Sequence, residues 1–185
     1  MKKLILFLSI FLIVGCANNE QPVDESLSAL TFLDEEDQST LLEYKALRQE
    51  FMTEIHRIDL TNVTVDRTVL YDLYWRMADI TMDELHEINK SESRDEFSET
   101  YYYYVSAKLY HSVSEIYQSL EQEMERDKVI NGSDKSELKG LLNNLDELVS
   151  LTFRKPDDHN PEDFVKNDTY MGGRAEEIYN AIIEE

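Results

Sequence analysis

Four histidines, one cysteine and 39 acidic residues among 185 define the chemistry open to this chain. Di-iron bundles pair two Glu-x-x-His motifs with two further glutamates. Here Asp83-x-x-His86 stands alone with the shorter acid, and His56 and His111 have no partner motif of that kind. Residues 127 to 138, DKVINGSDKSEL, place Asp, Asn and Gly where a calcium loop has its first, fifth and sixth positions. Val129 and Leu138 stand where the third and twelfth positions need oxygen ligands, so the segment reads as a helix-turn-helix connection. The loop PDDHNPED, 156 to 163, gathers four carboxylates around His159 and is the best remaining place for a loosely held cation. Its residues already have local work, with Asn160 as a helix N-cap, Pro161 at the first helical position and Glu162 and Asp163 in the first turn.

Nucleophilic catalysis finds no footing. There is no Gly-x-Ser-x-Gly elbow, and Gly172-Gly173-Arg174 lacks the glycine spacing of a phosphate-binding loop or a dinucleotide fingerprint. Paired carboxylates discriminate nothing in so acidic a chain. The expectation is a protein that is not an enzyme and carries no cofactor and no metal.

The single cysteine has a distinctive setting. Lys2 and Lys3 precede an apolar run from Leu4 to Val14, which as a helix would rise about 16 Å, roughly half of a hydrocarbon core. Basic residues, a short apolar stretch and a small residue before the cut are the layout of a secretory signal peptide. The residues Ile13-Val14-Gly15-Cys16 resemble the lipobox of bacterial lipoproteins. That resemblance implies diacylglyceryl transfer to the Cys16 thiol, cleavage between Gly15 and Cys16, loss of residues 1–15, and a lipid-anchored chain facing away from the cytoplasm. An exported chain with one cysteine forms no internal disulfide, and lipidation gives its thiol a use. The lysine, isoleucine, asparagine and glutamate bias resembles a low-GC Gram-positive organism, so the outer face of a single cell membrane is the expected location.

The formal charge is −21, and cleavage would remove two of the 18 basic residues. Such a body repels nucleic acid and anionic lipid within the Debye length. The expected partners are the bilayer, through Cys16, and a basic envelope or secreted protein. Residues 16–38 read as the lipidated N-terminus and a flexible acidic tether, with Pro22 and the like-charge run DEEDQ at 34 to 38 resisting compaction and LSALTFL forming at most a brief helix. A coil from Ala17 to Gln38 would span roughly 26 Å. Residues 39–185 are then the folded domain.

Within that domain the apolar spacing is helical. Thr40 with Glu43 forms a capping-box pair opening a first helix that runs to about Leu60 through Tyr44, Leu47, Phe51 and Ile55. A second helix spans Val69 to Ile88 after the β-branched TNVTV, and Ser93 with Glu96 caps a third that runs through Val105, Leu109, Val113 and Ile116 to Met124. Asn131-Gly132 ends it. A fourth covers about Asp134 to Thr152, and a short amphipathic segment starts at Arg174. The fold class is all-α, a helical bundle of about four main helices plus a short C-terminal helix, on a flexible N-terminal tether.

YYYYV at 101 to 105 favours a strand by propensity. However, Tyr103, Tyr110 and Tyr117 recur every seven residues in register with Met124, which marks one edge of a helix. These rings either line the rim of the bundle core or form an aromatic recognition stripe, since tyrosine joins a rigid apolar body to a polar tip. The large negative charge, with no catalytic constellation beside it, makes a protein-interaction module the favoured function. A ligand-binding lipoprotein for a cation or cationic peptide is the alternative, as is a superinfection-excluding lipoprotein of the kind found on prophages, which size, anchor and helical pattern resemble.

Overall fold

The computed structural model describes residues 25–58, 65–90, 96–124, 132–154 and 173–184. Among them lie six helices: α1 (Glu25–Ser28), α2 (Glu35–Arg57), α3 (Arg67–Lys90), α4 (Glu96–Met124), α5 (Gly132–Phe153) and α6 (Arg174–Ile183). No strand occurs among the described residues. The chain is an all-α helical bundle. Helices α2 to α5 pack in chain order, α5 also touches α2 and α3, and α6 lies against α2 and α5 with α1 beside it. Phe51 against Tyr74, Tyr71 against Tyr117, and Ser119 hydrogen-bonded to Glu137 place each successive pair of long helices antiparallel.

One core runs through the bundle. Leu41, Tyr44, Phe51 and Ile55 of α2 are fully buried, as are Leu70, Tyr74, Met77 and Leu85 of α3, Val105 and Ile116 of α4, Leu145 and Val149 of α5, and Ile178 of α6. The three- and four-residue steps read from the sequence account for these faces. Asp66 opens α3, its Oδ1 accepting the Thr68 amide at 2.9 Å. Val65 before it and Leu70 four residues after it, both buried, occupy the positions of a hydrophobic staple. Gly173 precedes α6 with φ of 55°, a left-handed conformation that glycine adopts without a Cβ clash.

The N-terminal boundary differs from the expectation. The tether was expected to extend to Gln38, yet Leu27, Leu30 and Leu33 are part of the buried core. The helix expected to open at Thr40 starts five residues earlier by chain position, at Glu35. Asp34 is its N-cap: its Oδ1 accepts the Asp37 amide at 2.9 Å, and Asp37 Oδ2 accepts the Asp34 amide at 3.4 Å. Aspartate here does what glutamate does in the usual capping box. The run DEEDQ is therefore a helix N-terminus, where carboxylates complement the exposed amides and the macrodipole and are not a source of expansion. Thr40 lies inside α2 and its hydroxyl bonds back to the Glu36 carbonyl at 2.9 Å. A buried cation fastens this segment: Lys45 Nζ donates to Ser26 Oγ at 3.1 Å and to the Ala181 carbonyl at 3.0 Å, and Ser26 Oγ donates to the same carbonyl. That carbonyl belongs to the last turn of α6, where positive charge is favourable. Residues 17–24 of the expected tether, Leu60, and the Ser93 cap lie outside the described residues.

Candidate functional site

Helix α4 carries Tyr103, Tyr110 and Tyr117 on one edge because each step of seven residues returns an α-helix to nearly the same direction. The three rings are 70%, 60% and 46% exposed, so they stand at the surface, with Tyr117 the most covered. Val113, Leu109 and Ile116, on the adjacent stripe, take the buried positions instead. The row runs beside the seam with α3. Tyr71 of α3 meets Tyr117 edge to face with centroids 5.5 Å apart, and Tyr102 meets Tyr103 in the same way at 5.6 Å. His86 of α3 lies 6.1 Å from the Tyr102 ring, so aromatic contacts join α3 and α4 near both ends of the seam.

Trp75, the only tryptophan, is 44% exposed and sits one turn beyond Tyr71 on α3. Exposed Asp72 and Asp79 lie three residues before it and four after it, on the same side of the helix. The sequence reading passed over this residue. Its signal was present, because Tyr71 and Trp75 have the (i, i+4) spacing of a surface pair and neither lies on the Leu70-Leu73-Met77 stripe. The α3/α4 seam thus offers large apolar rings with polar tips, beside carboxylates. Rings of this type form the energetic centres of protein interfaces.

A second polar constellation lies inside the bundle. The Asp146 side chain is fully buried; it accepts the Tyr44 hydroxyl at 2.9 Å and Arg48 Nε at 3.0 Å. Burial pushes the Asp146 carboxyl up to about 6, and nearby Glu147 adds to this, while the Arg48 charge and the Arg48 and Tyr44 hydrogen bonds oppose it. Burial and the Asp146 carboxylate together raise the Tyr44 hydroxyl well above its usual range. Burial also raises Tyr74, whose hydroxyl donates to the Leu141 carbonyl at 3.0 Å. The sequence reading missed Asp146, although it falls four residues after Leu142 and three before Val149, on the apolar stripe of α5. A carboxylate sealed from solvent and held by two donors joins α2 to α5; it offers no surface to a substrate.

Its titration predicts a pH effect. Folded Asp146 keeps its proton to about pH 6, whereas an unfolded aspartate releases it near 4. The native state therefore binds more protons in that window, and the contribution of Asp146 to stability falls as pH rises through it. Relative to Asp146→Asn, which does not titrate, the wild type should lose about 1.4 kcal/mol between pH 5 and pH 8. Urea unfolding of both proteins at the two pH values measures the difference. Parallel behaviour would mean that Asp146 is ionised in the native state throughout.

Gly15 and Cys16 lie outside the described residues, and so does the whole 156–163 loop with His159. Of the imitation calcium loop, residues 132 to 138 are described and form the start of α5, with Leu138 buried in the core. His111 Nδ1 lies 3.3 Å from Glu115 Oε2 as a surface (i, i+4) contact. Among the described residues no group of three or more histidines, cysteines or carboxylates is placed to hold a metal ion. No described helix is long and apolar enough to cross a membrane.

Fold and surface together define an all-α bundle with an aromatic seam along one edge. No family model matches the chain, and neither a curated protein nor a solved structure matches it.

Proposed function

We propose that this chain is a lipid-anchored, extracytoplasmic interaction module that holds a basic protein or peptide against the cell membrane through its α3/α4 seam. The observation that carries the reading is the exposure of Tyr103, Tyr110 and Tyr117 in one row beside Tyr71 and Trp75. Aromatic rings turned outward along two adjacent helices leave apolar area that a partner would bury. The charge of −21 supplies the second part of the reading, since it steers a cationic partner and repels an acidic one. The lipobox resemblance at Ile13-Val14-Gly15-Cys16 supplies the anchor. The proposed mode of action is binding without catalysis.

Charge and rings should act on different rates. A photo-crosslinking residue placed at Tyr110 in intact cells captures the partner, and the same residue at exposed Glu50 on α2 serves as the control. With the captured partner purified, raising salt to about 0.5 M, where the Debye length is roughly 4 Å, should slow association markedly. Tyr110→Ala should instead speed dissociation by about tenfold or more, the effect of losing an aromatic anchor at an interface centre. Equal capture from Glu50, or a complex whose dissociation ignores Tyr110, would remove the seam from the interface.

A further inference from the structure

Ala107 and Ser114 stand exposed between Tyr103, Tyr110 and Tyr117, so the outward edge of α4 repeats at steps of four, three, four and three residues. That is the spacing of a coiled-coil seam, here with a large ring and a small gap in alternation. It is a second stripe on α4, separate from the buried one that carries Val105, Leu109 and Ile116. The contacts of Tyr71 with Tyr117 and of His86 with Tyr102 set an antiparallel register between α3 and α4. In that register Trp75 lies level with Val113 and Ser114, and half-buried Met82 lies level with Ser106 and Ala107. Each gap therefore falls between two tyrosines of α4 and beside a large apolar residue of α3. The two gaps are about 10.5 Å apart, two turns of helix.

A helix is the element that suits such a face. The amides and carbonyls along the middle of α3 and α4 are bonded within those helices, so the seam offers an extended peptide no edge to pair with. A strand laid across the rings would bury amides without partners, whereas a helix satisfies its own. Helical side chains seven residues apart also repeat at the interval of the gaps. Charge specifies the flanks: between residues 72 and 83 the exposed side of α3 carries Asp72, Asp79 and Asp83 against one cation, Arg76. Area and charge together argue against a second copy of this chain. At about 200 Å² for each aromatic residue, Tyr103, Tyr110, Tyr117 and Trp75 leave roughly 400 Å² exposed. That is about half of the roughly 800 Å² that each partner of a standard stable interface buries. Two copies would also bring like charges together, at a cost.

Granted that the seam is the interface, we propose that the partner covers it with one amphipathic α-helix. Large apolar side chains seven residues apart on that helix seat over Ala107 and Ser114, and its lysines or arginines turn toward Asp72 and Asp79.

The probe is a fluorescein-labelled peptide about three heptads long, with leucine at alternating three- and four-residue steps and lysine or alanine elsewhere. It is titrated with the full-length chain at about 150 mM salt, where diffuse attraction is screened. The control peptide holds the same residues in an order without that spacing. The spaced peptide should bind and gain helix by circular dichroism, and the control should bind at least about tenfold more weakly. Ala107→Gln with Ser114→Gln fills both gaps at exposed positions with a good helix former, so the melting temperature should hold while binding falls about tenfold or more. Ala46→Gln with Thr53→Gln, exposed positions seven apart on α2, should change binding by less than about twofold. Equal binding of the two peptides, or a loss in Tyr110→Ala with none in the gap-filled variant, would overturn the helix and leave the seam as the interface. Indifference to both variants, or no binding of the spaced peptide, would also overturn it, while the seam itself falls only if Glu50 captures the cellular partner as well as Tyr110 does. Sedimentation showing a dimer that Tyr110→Ala dissolves would overturn it too, since a second copy would then cover the face.

Discussion

A chain begun at residue 39 should lack a cooperative unfolding transition, whereas one begun at Glu25 should keep it. Starting at 39 removes Leu27, Leu30 and Leu33, all buried, and with them the Asp34 cap and the first turn of α2. It also strips the cover from the faces of α2 and α6 against which α1 packs. Truncating a single buried leucine typically costs about 2–5 kcal/mol, and domains of this kind are stable by only about 5–15 kcal/mol. Lys45 would lose its Ser26 contact while staying close to the Ala181 carbonyl, in a setting newly opened to water. Urea titrations followed by circular dichroism compare the two fragments. A steep transition of equal midpoint for both would mean that the N-terminal segment rests on the bundle without stabilising it.

Cys16→Ser should abolish membrane partition altogether, leaving the protein as precursor or releasing it from the cell. The proposed anchor is a diacyl modification of that one thiol, and two acyl chains separate a lasting anchor from a transient one, at about 0.8 kcal/mol for each buried methylene. Fractionation after labelling with a clickable fatty acid reads the outcome, and label on the Cys16→Ser chain would end the lipoprotein reading. Where the folded body begins also changes what the anchor does. A coil from Ala17 to Gln38 would reach roughly 26 Å, but only residues 17–24 separate Cys16 from α1. A coil of that length spans about 16 Å, and even fully extended it reaches no more than about 29 Å. The proposed anchor would therefore hold the α1 end of the bundle close to the lipid headgroups.

Much of the architecture was legible without coordinates. The second and fourth helices, expected at Val69 to Ile88 and about Asp134 to Thr152, are Arg67–Lys90 and Gly132–Phe153, and the C-terminal helix begins at Arg174 as its spacing indicated. These elements are readable because burying an apolar stripe at period 3.6 is a local property of the chain, independent of what covers it. The start of α2 was misread for a reason equally local. A capping box closed by Asp37 performs the same two hydrogen bonds as one closed by glutamate, and a cluster of carboxylates has opposite consequences in a coil and over a helix N-terminus.

What the tertiary structure decided is which side of each stripe faces outward and which distant groups meet. Seven-residue spacing put Tyr103, Tyr110 and Tyr117 on one edge of α4, but only the positions of α3 and α5 determine that this edge is exposed. Leu27, Leu30 and Leu33 occupy a short segment with too few turns to show a period, and their burial depends on a face of α6 about 150 residues away. Asp146 meets Arg48 and Tyr44 across sequence separations of 98 and 102 residues. No local pattern encodes such a pairing, because a buried carboxylate is stabilised by whichever donors the packed helices bring to it. Periodicity specifies the faces of the helices; their mutual packing determines which faces become core and which an exposed seam.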